Sequence, residues 1–156
     1  MLDEYRMGVG IFLLNEKKKL WVGKRIDFKT NFWQMPQGGI DSNESPKEAM
    51  IRELGEEVGL KKNFKIVDET KNWLSYQLPK ELKHKVWNGK YVGQKQKWFA
   101  CKFFGLDDEI NLESHKPEFS EWKWIDPLDA LKFVVPFKKE MYMNVLETFK
   151  KHIIQE

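Results

Sequence analysis

Residues 38–60 read GGIDSNESPKEAMIRELGEEVGL, a glycine pair, a polar loop and a short run with helical spacing. The start of that helix is written in three residues. Ser45 is a capping side chain, Pro46 suits the first helical position, and Glu48 is the acidic partner of a capping box. Gly59 is placed as the C-terminal stop, and Lys61 and Lys62 follow with the sign that suits a helix C-terminus. At helical spacing Met50, Ile51, Leu54 and Val58 form the stripe predicted to face the core. Glu53, Glu56 and Glu57 fall together on the flank beside it. Arg52 lies on the other flank, within reach of Glu48 and Glu56. Gly55 sits inside the helix, where it costs about 1 kcal/mol relative to alanine.

Three like charges at this spacing repel one another. A divalent cation between them would remove the conflict, and a site made of oxygens without His or Cys suits Mg²⁺ or Mn²⁺ rather than Zn²⁺. A solvated acidic face is the alternative for any one Glu-Glu pair. The formal net charge of +3 conceals an asymmetry: residues 38–60 carry six acids and two bases, a local −4, and the remainder carries +7. An acidic cluster in a basic frame suits a metal site that receives a polyanion.

The whole chain, 156 residues with 41% apolar and 14% aromatic content, reads as a single α+β domain over residues 1–156. Residues 7–14 and 20–25 predict a buried hairpin across a polar turn at 15–19, and a loop over 26–31 leads to the glycine pair, which is expected to turn tightly. Strands are predicted at 64–70, 73–77, 95–104 and around Trp122 and Trp124, with a lysine-rich connection over 79–93 and a polar loop over 107–119. Asp126, Pro127 and Asp129 mark a short helix, and Phe137, Met141, Val145, Phe149 and Ile153 mark a long amphipathic C-terminal helix from Pro136. Cys101 is the only cysteine and reads as a core thiol. No secretory signal or membrane-spanning segment is visible, so a cytoplasmic location is expected. His84, His115 and His152 have no ligand spacing and read as surface residues.

Gly38, five residues, Glu44, seven residues and then Arg52-Glu53-Leu54-x-Glu56-Glu57-x-Gly59-Leu60 is the pattern of the Nudix box, and the chain resembles the Nudix hydrolase family. The similarity extends to Tyr5-Arg6, residues 33–40 (WQMPQGGI), Asn72-Trp73-Leu74 with Tyr76, residues 93–99 (GQKQKWF) and Pro117-Glu118-Phe119. Those segments look like the branch that holds bacterial RNA pyrophosphohydrolases and the closely similar dinucleoside polyphosphate hydrolases.

The resemblance implies an α/β/α sandwich around a mixed sheet, with the box helix packed on it. It implies hydrolysis of a phosphoanhydride by water with more than one Mg²⁺, Mn²⁺ being a substitute. Glu53 and Glu57 would be the principal ligands, assisted by Glu56, with the Gly38 carbonyl completing the shell and Arg52 orienting Glu53. Glu118 matches the family's distant carboxylate, with Glu121 as the fallback. Arg6 and Arg25 match positions that hold phosphates or stack on a base. Val135, Phe137 and Lys138 match a pocket for the nucleotide following the 5′ end, Tyr76 is a further stacking residue, and Lys95 and Lys97 would guide phosphates. The substrate is then an RNA 5′ end or a dinucleoside polyphosphate, with neither DNA nor membrane as a partner. A catalytically silent module that binds a nucleotide or RNA is a third reading, and the complete set of box carboxylates argues against it.

Overall fold

The computed structural model describes residues 4–26 and 31–154. Its frame is a mixed sheet of β1 (Tyr5–Leu14), β2 (Leu20–Arg25), β3 (Trp33–Gln34), β4 (Gln37–Gly39), β5 (Phe64–Glu69), β6 (Leu74–Gln77), β7 (Gly93–Phe103) and β8 (Phe119–Ile125). The main path runs β3-β2-β1-β7-β5, with β4 on β1, β6 on β7 and β8 on β2. β1 and β7 are parallel from Tyr5 opposite Gly93 to Leu14 opposite Lys102, and the other pairings are antiparallel.

β1 reads as a continuous apolar run because both of its faces are covered. Val9, Ile11 and Leu13 pack with Met50 and Leu54 of α1 (Pro46–Glu57) and with Val58 at its C-terminal cap, together with Phe99, Cys101 and Phe103. Phe12 and Leu14 point the other way, into Met141, Tyr142, Val145 and Phe149 around α4 (Lys139–Thr148). The α/β/α layering follows from that alternation. Short helices α2 (Lys80–Lys83) and α3 (Ala130–Phe133) complete the described elements of α type.

Four expectations change. Ile51, assigned to the core stripe, is 44% exposed, because the stripe that meets β1 is narrower than the helical pattern allowed. The C-terminal helix is short: a 3₁₀ turn at Pro136–Lys138, ten α-helical residues and another 3₁₀ turn at Lys150–His152. Pro136 starts the tighter turn, and Phe149 leaves helical geometry at φ −103°, ψ 13°. Gly38 and Gly39 are strand residues in β4 and make no tight turn. His152 is half-buried, with Nε2 at 3.0 Å from Asp68 Oδ2, and ties the chain end to β5. Gly59 does end α1 in left-handed geometry, φ +81°, against Asn111. Of the expected 26–31 loop, residues 27–30 lie outside the described residues.

Candidate active site

The capping box at the start of α1 is formed. Glu48 N–H donates to Ser45 Oγ at 3.1 Å, and Ser45 N–H donates back to Glu48 Oε1 at 3.0 Å. Glu48 is therefore occupied, and Arg52 does not take it as a partner. The guanidinium instead grips Glu44 with two N–H donors at 2.8 and 2.9 Å. It also donates to Glu53 at 2.8 Å, Glu56 at 3.3 Å and the Gly39 carbonyl at 2.9 Å. The Arg52 hydrogen bonds, with the Asp41 N–H, hold the Glu44 carboxyl down at about 2. Arg52 thus fixes the box glutamates relative to β4 and does not itself line the pocket described below.

Glu53 and Glu57 are shifted the opposite way from Glu44. Burial pushes the Glu53 carboxyl above the usual range, with Arg52 opposing. Burial pushes Glu57 well above it, and the charge of Glu53 adds to the rise. Glu57 is 4% exposed, and its Oε1 accepts the Gln37 N–H at 2.9 Å. Gly38 is required here for space: a Cβ on it would run into the Glu53 carboxylate.

These groups share one pocket of about 540 Å³. Gly38, Glu53, Glu56, Glu57 and Glu118 contribute its acidic wall. Glu118, the residue before β8, lies 3.4 Å from Arg25. Glu121 is turned to Lys24, 3.8 Å away, and is outside the pocket. Arg6, Arg25, Tyr76, Val135, Phe137 and Lys138 supply the rest of the wall that the sequence suggested. Phe137 and Tyr76 are tilted ring to ring at 5.7 Å, so Phe137 both packs on the core and faces the cavity.

Lys95 and Lys97 are not brought there. On β7 they alternate with Gln94 and Gln96, and the glutamines face inward, Gln94 lining the pocket and Gln96 fully buried. Lys95 Nζ instead sits 5.0 Å over the Tyr5 ring, and Lys97 Nζ donates to the Thr70 carbonyl at 2.7 Å.

Several residues in and behind the pocket escaped sequence reasoning. Gln96 donates to Gln94 at 2.6 Å and to Gln37 at 3.3 Å, and buried Lys138 donates to Gln37 at 3.2 Å. The signal was available: two glutamines alternating within a strand that ends apolar are polar groups bound for the interior. Trp87, His115 and Lys116 also line the pocket. His115 is exposed, as expected of a surface residue, with Nε2 3.9 Å from Glu56 Oε1. Ser114 Oγ anchors its loop by donating to the Gly55 carbonyl at 3.0 Å.

Among the described residues no three His, Cys, Asp or Glu side chains already stand together as a metal-binding group. Arg52 holds Glu53 and Glu56 toward itself, and Gln37 holds Glu57. The donor set nonetheless fits a hard divalent ion. It is all oxygen, and its two most buried carboxylates are those whose charge burial disfavours, the condition a cation relieves.

The NUDIX domain model matches residues 4–145, and the chain belongs to the Nudix family. Nudix hydrolases generally need a divalent metal. An RNA pyrophosphohydrolase of Pelagibacter ubique (strain HTCC1062) is 49% identical, the match covering 94% of this chain and 92% of that one. An RNA pyrophosphohydrolase of Orientia tsutsugamushi (strain Boryong) is 46% identical, covering 93% and 89%. Among solved structures, the E. coli dihydroneopterin triphosphate pyrophosphohydrolase superposes with a TM-score of 0.70 at 18% identity, covering 92% of this chain and 98% of that one, a likeness of fold. No helix among the described residues is long and apolar enough to cross a membrane.

Proposed function

We propose that this protein is a cytoplasmic pyrophosphohydrolase, acting as one domain, that removes pyrophosphate from the 5′-triphosphate end of RNA and leaves a 5′-monophosphate. The observation that carries the reading is the composition of this pocket. Four carboxylates and the Gly38 backbone share it with two arginines, the buried Lys138 and the rings of Tyr76 and Phe137. A polyphosphate needs the first set through a metal, and a nucleotide needs the second through stacking and edge contacts. Relatives bearing the name RNA pyrophosphohydrolase at 44–49% identity over more than nine-tenths of the chain support the RNA substrate.

Glu53, Glu56, Glu57 and Glu118 would hold Mg²⁺, with Mn²⁺ as a substitute. The bound ions would screen the phosphate oxygens and lower the pKa of the attacking water. Arg52 keeps Glu53 in place through a hydrogen bond that needs no substrate. Arg25, beside Glu118, carries the positive charge nearest the distant carboxylate and is suited to a phosphate oxygen. Lys138, held by Gln37 and Gln34, presents a fixed ammonium beside the Tyr76 and Phe137 rings.

A competition assay tests this. With Mg²⁺ fixed, kcat/KM for triphosphorylated RNA should exceed that for diadenosine tetraphosphate, and EDTA should abolish both. A preference for the dinucleotide would move the function to the second substrate, and turnover in EDTA would end the metal mechanism.

A further inference from the structure

Arg6 is enclosed. A Cβ on Gly39 would strike its guanidinium, so the group packs directly on the β4 backbone. The guanidinium carbon also stands 5.3 Å over the centre of the Trp87 ring, within cation–π range. Trp87 reaches that position in an unusual backbone. It and Asn88 have φ of +50° and +56°, and Gly89 follows at +71°. A bulky residue there costs about 1–3 kcal/mol and persists only where its surroundings fix it.

The surroundings do fix it. Leu78 N–H donates to Val92 O at 2.7 Å and Val92 N–H to Glu4 O at 2.8 Å, pinning both ends of the β6–β7 connection beside the start of β1. Gly89 N–H closes the turn onto Val86 O at 3.0 Å, and Tyr91 meets the indole edge-on at 6.1 Å.

We propose that Trp87 is a positioning residue, which with Gly39 covers the guanidinium of Arg6 and leaves its N–H edge to read a substrate phosphate rather than its face to stack a base. Arg6 and Trp87 both line the pocket. The positive charge of Arg6 acts on both Glu53 and Tyr76, so it stands between the acidic and aromatic walls. That border is where a phosphate joining the polyphosphate to its nucleoside belongs. The inference rests on the pyrophosphohydrolase reading above, but not on which of the two substrates is preferred.

A double-mutant cycle tests it, read on whichever of triphosphorylated RNA and diadenosine tetraphosphate the wild-type protein hydrolyses. Trp87→Ala should raise KM about fivefold, roughly 1 kcal/mol, and leave kcat within about a factor of two. Trp87→Phe should recover most of the loss. In the double variant with Arg6→Ala, KM should be no higher than in Arg6→Ala alone. Losses that multiply would mean that Trp87 touches substrate by itself, and they overturn the proposal, as does an unchanged KM or a fall confined to kcat. Thermal unfolding of the same four proteins reads the Arg6–Trp87 coupling without substrate, and additive Tm changes there also overturn it. Failure of the wild-type protein on RNA, with the cycle coupled, would sink only the substrate assignment.

Discussion

The acidic and aromatic walls of the pocket are built in opposite ways. Every box residue of the acidic wall lies within 20 positions of Gly38, on one capped helix and the strand before it. The opposite wall is gathered from Arg6, Tyr76, Trp87 and Lys138, on four separate elements. The two walls also differ in their electrostatics. Glu53 and Glu57 are buried where their charge is disfavoured, whereas Lys138 is bonded to two glutamines and Phe137 rests on Tyr76. The wall proposed to do chemistry holds unfavourable electrostatics for a cation to relieve, and the wall proposed to recognise substrate is pre-organised by packing.

The sharpest way to break this contrast is to remove charge from the acidic wall. Glu53→Gln keeps shape and should lower kcat by more than about 100-fold with the far-UV spectrum intact, the scale of losing metal-borne transition-state stabilisation. Single-turnover kinetics near wild type would show that the chemistry lies elsewhere. A smaller effect belongs to the other wall. Phe137→Ala should raise KM for triphosphorylated RNA by about tenfold, on the scale of one lost base stack, and change diadenosine tetraphosphate hydrolysis less. Equal losses on both substrates would mean that the ring serves only the core.

The smallest effect is on stability, and its sign follows from Glu57. Burial raises its folded pKa above the unfolded value, so the associated stability is complete at acid pH and is lost as pH rises through the folded value. Glu57→Gln carries no charge at any pH. In EDTA it should therefore raise Tm above wild type at pH 8, and the gap should close as pH falls into the acid range. A variant less stable than wild type at pH 8 would mean that the buried charge is already compensated by the protein.

The comparison also explains which residues were legible. The cap at Ser45, the stop at Gly59 and the glutamate flank are properties of one helix, and helical spacing alone places them. Glu44 stood in the motif without a task until its two hydrogen bonds to Arg52 supplied one. The glycine pair was visible but its reason was not, since the atoms that exclude a Cβ belong to Glu53 and Arg6. Lys95 and Lys97 were misplaced because a basic strand shows its alternation but not which face meets the cavity.

Local order along the chain determined the helix, its cap and stop, the flank of acids and the buried strands, because propensity, capping and periodicity act over a few residues. Tertiary structure placed Glu118, the residue the motif match favoured, in the cavity and Glu121 outside it, and it alone decided that Gln94 takes the cavity side in place of the lysines and that Trp87 closes on Arg6. Those outcomes depend on strand register and on contacts between residues far apart in the chain, Arg6 with Trp87 and Arg25 with Glu118, which no short-range pattern encodes.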